Sequence, residues 1–197
     1  MNILIVGAHY DDFEIGCGGT IYKYLQKEDV NLYVAITSSD EFRTGDPSIR
    51  YVEQCNSFKV LGKNIYLYQY SYKDEAHNII GELDKTNPDI IFTHYEKDTH
   101  QDHRRASIIG QAVGRKRHIT TVFFDSGSTY DFHPNLFSFI DIKKKTELLY
   151  CFKTQVEVGA ISMDITERKN SYWASLVSHA RNTYAEGFVV RKMEWKV

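Results

Sequence analysis

The chain has 197 residues, 42% of them hydrophobic, with a formal net charge of −2. That is enough apolar material for one sizeable core, so one domain over residues 1–197 is expected. A near-neutral balance gives no sign of a nucleic-acid surface, and no run approaches the roughly 20 apolar residues of a membrane span.

In chain order, short apolar runs alternate with helical patterns. The runs "NILIVG" (Asn2–Gly7), "NLYVAIT" (Asn31–Thr37), "NIYLYQY" (Asn64–Tyr70), "DIIFTHY" (Asp89–Tyr95) and "TTVFFDS" (Thr120–Ser126) predict strands. They are rich in β-branched and aromatic residues, and near-continuous apolar runs suit buried parallel strands. Helices are predicted over Thr20–Glu28, Asn78–Lys85, Arg104–Arg115 and Pro47–Leu61. The last is the best marked, with Asp46 to cap it, Pro47 in its first position and Gly62 to end it. Further on, Leu136–Ile142 and Glu186–Trp195 read as strands, and Lys143–Gln155 and Glu167–Asn182 as helices. The basic runs Arg115–Arg117 and Lys143–Lys145 read as solvated faces. Three cysteines in no paired pattern suit a reducing cytoplasm, and the N-terminus lacks the features of a signal peptide. Regular β-α-β alternation predicts an α/β fold, Rossmann-like, with a mostly parallel sheet and helices on both faces.

In such sheets ligands gather at the carboxyl ends of strands. His9, Asp11 and Asp12 follow the first predicted strand, and Ser38, Ser39 and Asp40 the second. His94, Asp98, His100 and His103 lie at or after the end of the fourth, and Asp125 in the end of the fifth. Two clusters stand out, "AHYDD" (Ala8–Asp12) and "DTHQDH" (Asp98–His103). Imidazole with carboxylate suits zinc or another divalent ion such as Fe²⁺. His9, Asp12 and His103 would be the metal ligands, and Asp11 would be free to act as general base on an attacking water. His100 would stabilise or protonate a tetrahedral intermediate. That set is what metal-assisted amide hydrolysis requires. Glu14 reads as favourably placed at a helix N-terminus, and Gly18 and Gly19 as serving close packing or a tight turn. His94 reads as a packed, hydrogen-bonded histidine, the alternative being a support to the metal ligands.

With these motifs the chain resembles the LmbE-like or PIG-L-type de-N-acetylases, whose signatures are close to A-H-P-D-D-E and H-x-D-H. The resemblance implies a zinc-dependent hydrolase that removes acetyl groups from N-acetylglucosaminyl conjugates. It implies the same ligands, His9, Asp12 and His103, the same base, Asp11, and the same stabilising His100. The segment Thr44–Gly62, with Arg50 and Glu53, and the later Phe137–Gln155 are also similar to the family. The chain departs from the signatures at Tyr10 and Gln101, where proline is usual, and at "TSSDEF" (Thr37–Phe42), where T-x-G-E-x-G is usual. Tyr10 should loosen its turn while removing no ligand.

Arg43 and Arg50, in or near the loop after the second strand, are candidate substrate-binding residues, because a guanidinium fork suits hydroxyl or phosphate groups. The alternative for Arg50 is a helical pair with Glu53. The expected partner is a small N-acetylated sugar conjugate; the oligomeric state is left open. Competing readings are an amidase for a non-sugar acylamine, a nucleotide-binding module built on Gly16–Gly19, and a non-catalytic metal-holding protein.

Overall fold

The computed structural model describes residues 1–27, 29–40, 46–62, 65–115, 119–180 and 183–192. Within them lie β1 (Asn2–Gly7), α1 (Asp12–Lys27), β2 (Asn31–Ile36), α2 (Pro47–Leu61), β3 (Ile65–Gln69) and α3 (Ala76–Leu83). Then follow β4 (Ile90–His94), α4 (Gln101–Val113), β5 (Thr120–Phe124), β6 (Leu136–Phe139), α5 (Ile142–Leu149), α6 (Lys153–Glu157), α7 (Met163–Ser175) and β7 (Ala185–Lys192). The strands form one sheet in the order β3-β2-β1-β4-β5-β7-β6. β1 to β5 pair in parallel, while β7 is antiparallel to both β5 and β6.

Side chains alternate across the sheet, as period two requires. Ile3, Ile5, Leu32 and Val34 pack with Phe13, Ile21 and Leu25 of α1 and Leu148 and Leu149 of α5. Leu4, Val6 and Ile91 pack on the other face with Ile79 and Leu83 of α3 and Ala106, Ile109 and Val113 of α4. Helices therefore cover both faces, and both faces of the central strands are core.

The strand order reverses beside β1: the chain moves out through β2 and β3, then returns to place β4 on the other side. The crevice at such a switch point is where open α/β sheets take ligands. Both sequence clusters follow the strands that flank it.

α2 has the predicted bounds. The Asp46 carboxylate accepts from the Ser48 N–H, Pro47 opens the helix and Gly62 closes it at φ 86°. α1 departs from the expectation. It begins at Asp12, eight residues before the predicted Thr20, and absorbs the glycines, so that of the two readings for Gly18 and Gly19, close packing or a tight turn, packing is the one it uses. Packing overrides glycine's weak helix propensity here. A Cβ on Gly16 would lie 2.2 Å from the Phe124 ring, and one on Gly19 would lie 2.9 Å from Ile140. These glycines let α1 approach β5 and the chain beyond β6, and they leave no phosphate-binding loop.

A contrast follows from this packing. Gly16→Ala is expected to destabilise the protein by about 1–3 kcal/mol through overpacking. Gly81→Ala, in α3 with nothing within 4 Å of its Cβ position, is expected to stabilise it by roughly 0.5–1 kcal/mol. Urea denaturation of the two variants checks both signs.

Other bounds shift for local reasons. The Asp141 carboxylate accepts from Lys143 N–H and starts α5, so β6 stops at Phe139. The predicted Lys143–Gln155 helix is two helices, because Phe152 takes a non-helical ψ of 64° and is fully buried in the core. Ser162 caps α7, which ends at Ser175. The end of the predicted last strand, 193–195, lies outside the described residues. In the run Lys143–Lys145, Lys145 is buried rather than solvated. No described helix is long and apolar enough to cross a membrane.

Candidate active site

The junction between β1 and α1 is built around Asp12. Its Oδ2 accepts from the N–H groups of Ala8 (2.9 Å) and His9 (2.6 Å), which folds the turn back onto the first residue of α1. Asp11 sits at φ 95°, a conformation strained for a residue with a Cβ. Its carbonyl accepts from Ile15 N–H at 3.0 Å. The turn holds without proline: the Tyr10 carbonyl accepts from Arg50 at 2.5 Å, and its hydroxyl is bonded to Gln69.

The second cluster enters from β4 and α4. His100 is the N-cap of α4, and its Nδ1 accepts from Asp102 N–H at 3.2 Å. In the neutral ring the proton must then sit on Nε2, free to be donated. His103, one turn into α4, puts Nδ1 3.0 Å from Asp98 Oδ2 and Nε2 3.5 Å from Asp12 Oδ1. Asp98 thus fixes the tautomer that leaves Nε2 as the lone-pair nitrogen, the usual outer support of a metal-binding histidine. Ser128 on the β5–β6 loop holds Asp98 Oδ1 in turn, at 2.7 Å. His9 has Nε2 3.1 Å from Asp102 Oδ2 and Nδ1 3.7 Å from Asp12 Oδ2.

Two overlapping sets of donor atoms lie within 4.8 Å of one another: His9, His100 and His103, and Asp12, His94 and His103. The predicted trio takes His9 from the first, Asp12 from the second and His103 from both. Two atoms bound to one tetrahedral ion at about 2.1 Å lie about 3.4 Å apart. His103 Nε2 lies at that separation from Asp12 Oδ1, 3.5 Å, whereas His9 Nδ1 lies 3.7 Å from the other oxygen, Oδ2, so the trio does not itself converge as one such set. The two sets that do converge, three imidazoles and two imidazoles with a carboxylate, have donor chemistry that fits a divalent ion.

Electrostatics separate the two adjacent acids. Burial alone would raise the Asp12 pKa, but the His94 and His103 imidazoles outweigh it and hold the carboxyl well below its usual range. Burial wins at Asp11, raising it to about 7 against the opposing Arg50 guanidinium. Burial also lowers His94 and His100. It acts the same way on His103, yet Asp12 and Asp98 hold that imidazole above its ordinary value. Asp12 is thus the firmly ionised member, while Asp11 is a more basic carboxylate near neutrality.

Arg50 does not pair with Glu53. Its guanidinium is buried 3.2 Å from Asp11 Oδ2, while Glu53 accepts from the N–H and hydroxyl of Thr154. Arg43 lies outside the described residues. Glu14 is fully buried in the first turn of α1, where Gln54 and Ser57 donate to it and burial raises it to about 8.

The structure adds roles that the sequence did not assign. His94 is fully buried with Nε2 3.0 Å from Asp12 Oδ2, so it is both packed and part of the cluster. Asp102, Ser126 and Ser128 orient His9, His94 and His103. The D-x-H-x-D-H pattern holds a signal for Asp98 and Asp102, as carboxylates at fixed offsets from imidazoles. The serines, on a loop far away in sequence, carry none.

Residues 4–113 match the model of the family described as PIG-L, GlcNAc-PI de-N-acetylase. The chain belongs to this family. A curated relative in Escherichia coli K12, named "Uncharacterized deacetylase YaiS", is 29% identical over 116 residues. That match covers 51% of this chain and 61% of the relative. Among solved structures, the conserved protein TT1542 of Thermus thermophilus superposes with a TM-score of 0.81 at 22% identity, over 99% of this chain and 96% of that one. The N,N'-diacetylchitobiose deacetylase of Pyrococcus horikoshii, solved with an inhibitor, gives 0.78 at 19% identity, over 96% and 83%. At such identities the two likenesses speak for the fold. The family match spans both ends of the β1–β4 crevice and so includes both clusters.

Proposed function

We propose that the chain, as one domain over residues 1–197, is a metal-dependent hydrolase that removes the acetyl group from an N-acetylated amino sugar in a small conjugate. The observation that carries this reading is the split between neighbours: Asp12 faces three imidazoles, while Asp11 is turned to Arg50. Family membership and the named deacetylases among its relatives support the same class.

His9, Asp12 and His103 would hold the ion. Zinc or another divalent ion there supplies a Lewis acid and lowers the pKa of water. Asp11 takes the proton from the attacking water and later delivers it to the leaving amine. Arg50 fixes the direction of that carboxylate, and Arg43 and Arg50 are the residues assigned to substrate binding. The His100 Nε2–H donates to the oxygen that gains charge as the acetamide carbonyl is attacked. The partner is then a small sugar conjugate. A nucleotide is disfavoured, because its pyrophosphate would face Asp11 and Asp12 across helix glycines already packed on Phe124 and Ile140.

An acetate-release assay over N-acetylglucosaminides and simple acylamines tests the reading. Release from the sugars is expected. Release from acylamines alone would replace it with the non-sugar amidase.

A further inference from the structure

Lys145 of α5 and Glu186 of β7 lie apart from the imidazole cluster, yet both side chains are almost completely buried, 1% and 2% exposed. Removing two charges from water so fully is costly, so their partners matter. Lys145 Nζ lies 2.6 Å from Glu186 Oε1 and donates to the Ile15 carbonyl at 2.7 Å. Glu186 Oε1 accepts from the Gly19 N–H at 3.0 Å and Oε2 from the Thr20 N–H at 2.8 Å. These are groups in the interior of α1. In an uninterrupted α-helix the Gly19 N–H would bond to the Ile15 carbonyl. The ion pair engages both of these groups, with the ammonium on the carbonyl and the carboxylate on the Gly19 and Thr20 amides.

Residue Ile15 also links this pair to the active junction. Its N–H donates to the carbonyl of Asp11, whose strained φ of 95° must be held by its surroundings. Lys145 is therefore separated from the backbone of the proposed base by one residue and two hydrogen bonds. Gly16 and Gly19 permit the arrangement, since a side chain at either would push α1 away from Phe124 or Ile140.

We propose that Lys145 and Glu186 are positioning residues: they pin the Ile15–Thr20 stretch of α1 and so hold Asp11 and Asp12 in the geometry the reaction needs. The link to chemistry rests on the deacetylase reading above; the brace itself does not. A single Lys145→Met leaves Glu186 buried without its counter-charge and risks misfolding. The informative variant is Lys145→Met/Glu186→Gln, which removes both charges and nearly keeps the volume.

If the pair served only to neutralise itself, this variant would melt near the wild type and keep wild-type kcat. If it positions the junction, the folded variant should lose about 10²-fold in kcat with KM within about twofold, as displacement of reacting groups does. Amide hydrogen exchange at Ile15 should accelerate, while Val34 in β2 should keep its wild-type rate. A kcat within about threefold of wild type, or unchanged exchange at Ile15, overturns the proposal. Wild-type protein run alongside separates the two readings. If it releases no acetate, the deacetylase reading fails and the brace is judged on Ile15 exchange alone, where faster exchange upholds it and an unchanged rate refutes it.

Discussion

Asp11→Asn is expected to lower kcat by about 10²–10⁴-fold, the usual contribution of a general base, while metal and substrate binding persist. The substitution keeps the shape of the side chain and removes its basicity. It also keeps an oxygen for Arg50, which lies 3.2 Å from Asp11 Oδ2. Because Asp11 faces Arg50 while Asp12 faces His94 and His103, the loss should appear in kcat and not in metal content. Steady-state kinetics on metal-replete protein checks this. A kcat within a few-fold of wild type would remove Asp11 from the role of base.

His103→Ala is expected to lose most of the bound ion, and Asp12→Asn to weaken it sharply. His103 offers Nε2 to the site only because Asp98 holds Nδ1, so Asp98→Asn should weaken metal binding by about 10–100-fold. The order of loss should therefore be His103→Ala greatest, then Asp12→Asn, then Asp98→Asn, with Asp11→Asn unchanged. Metal analysis after dialysis, with zinc competition titrations, ranks the four variants. Full occupancy in His103→Ala would end the ligand assignment. If Asp11→Asn lost the ion while Asp12→Asn kept it, the roles of the neighbours would be reversed.

Much of the fold was legible because the central strands are buried on both faces. Ile3–Val6 and Ile90–Thr93 are apolar or β-branched throughout, and their partners on either side have the same character. The α2 bounds were legible because Asp46, Pro47 and Gly62 act locally. The start of α1 was not, because Gly16 and Gly19 answer to Phe124 and Ile140, far away in sequence. The placement of β7 between β5 and β6 likewise depends on long-range pairing that no local pattern encodes.

At the site, the residues of the two motifs come together, because both motifs follow strands flanking the switch point. Orientation was hidden. Only the fold shows that Arg50 turns to Asp11 rather than to Glu53 on its own helix. Only the fold places His94 against Asp12, since its position at a strand end fits a packed histidine equally well. Lys145 was the furthest from view: in a run of three lysines nothing local marks the one that is buried.

The most direct test of the central claim is acetate release from N-acetylglucosaminides by the full chain, before and after chelation and after reloading with zinc or iron(II). The account predicts release that chelation abolishes, that a divalent ion restores, and that His103→Ala does not regain on reloading. Release that survives chelation, or that His103→Ala carries out at the wild-type rate, would contradict it.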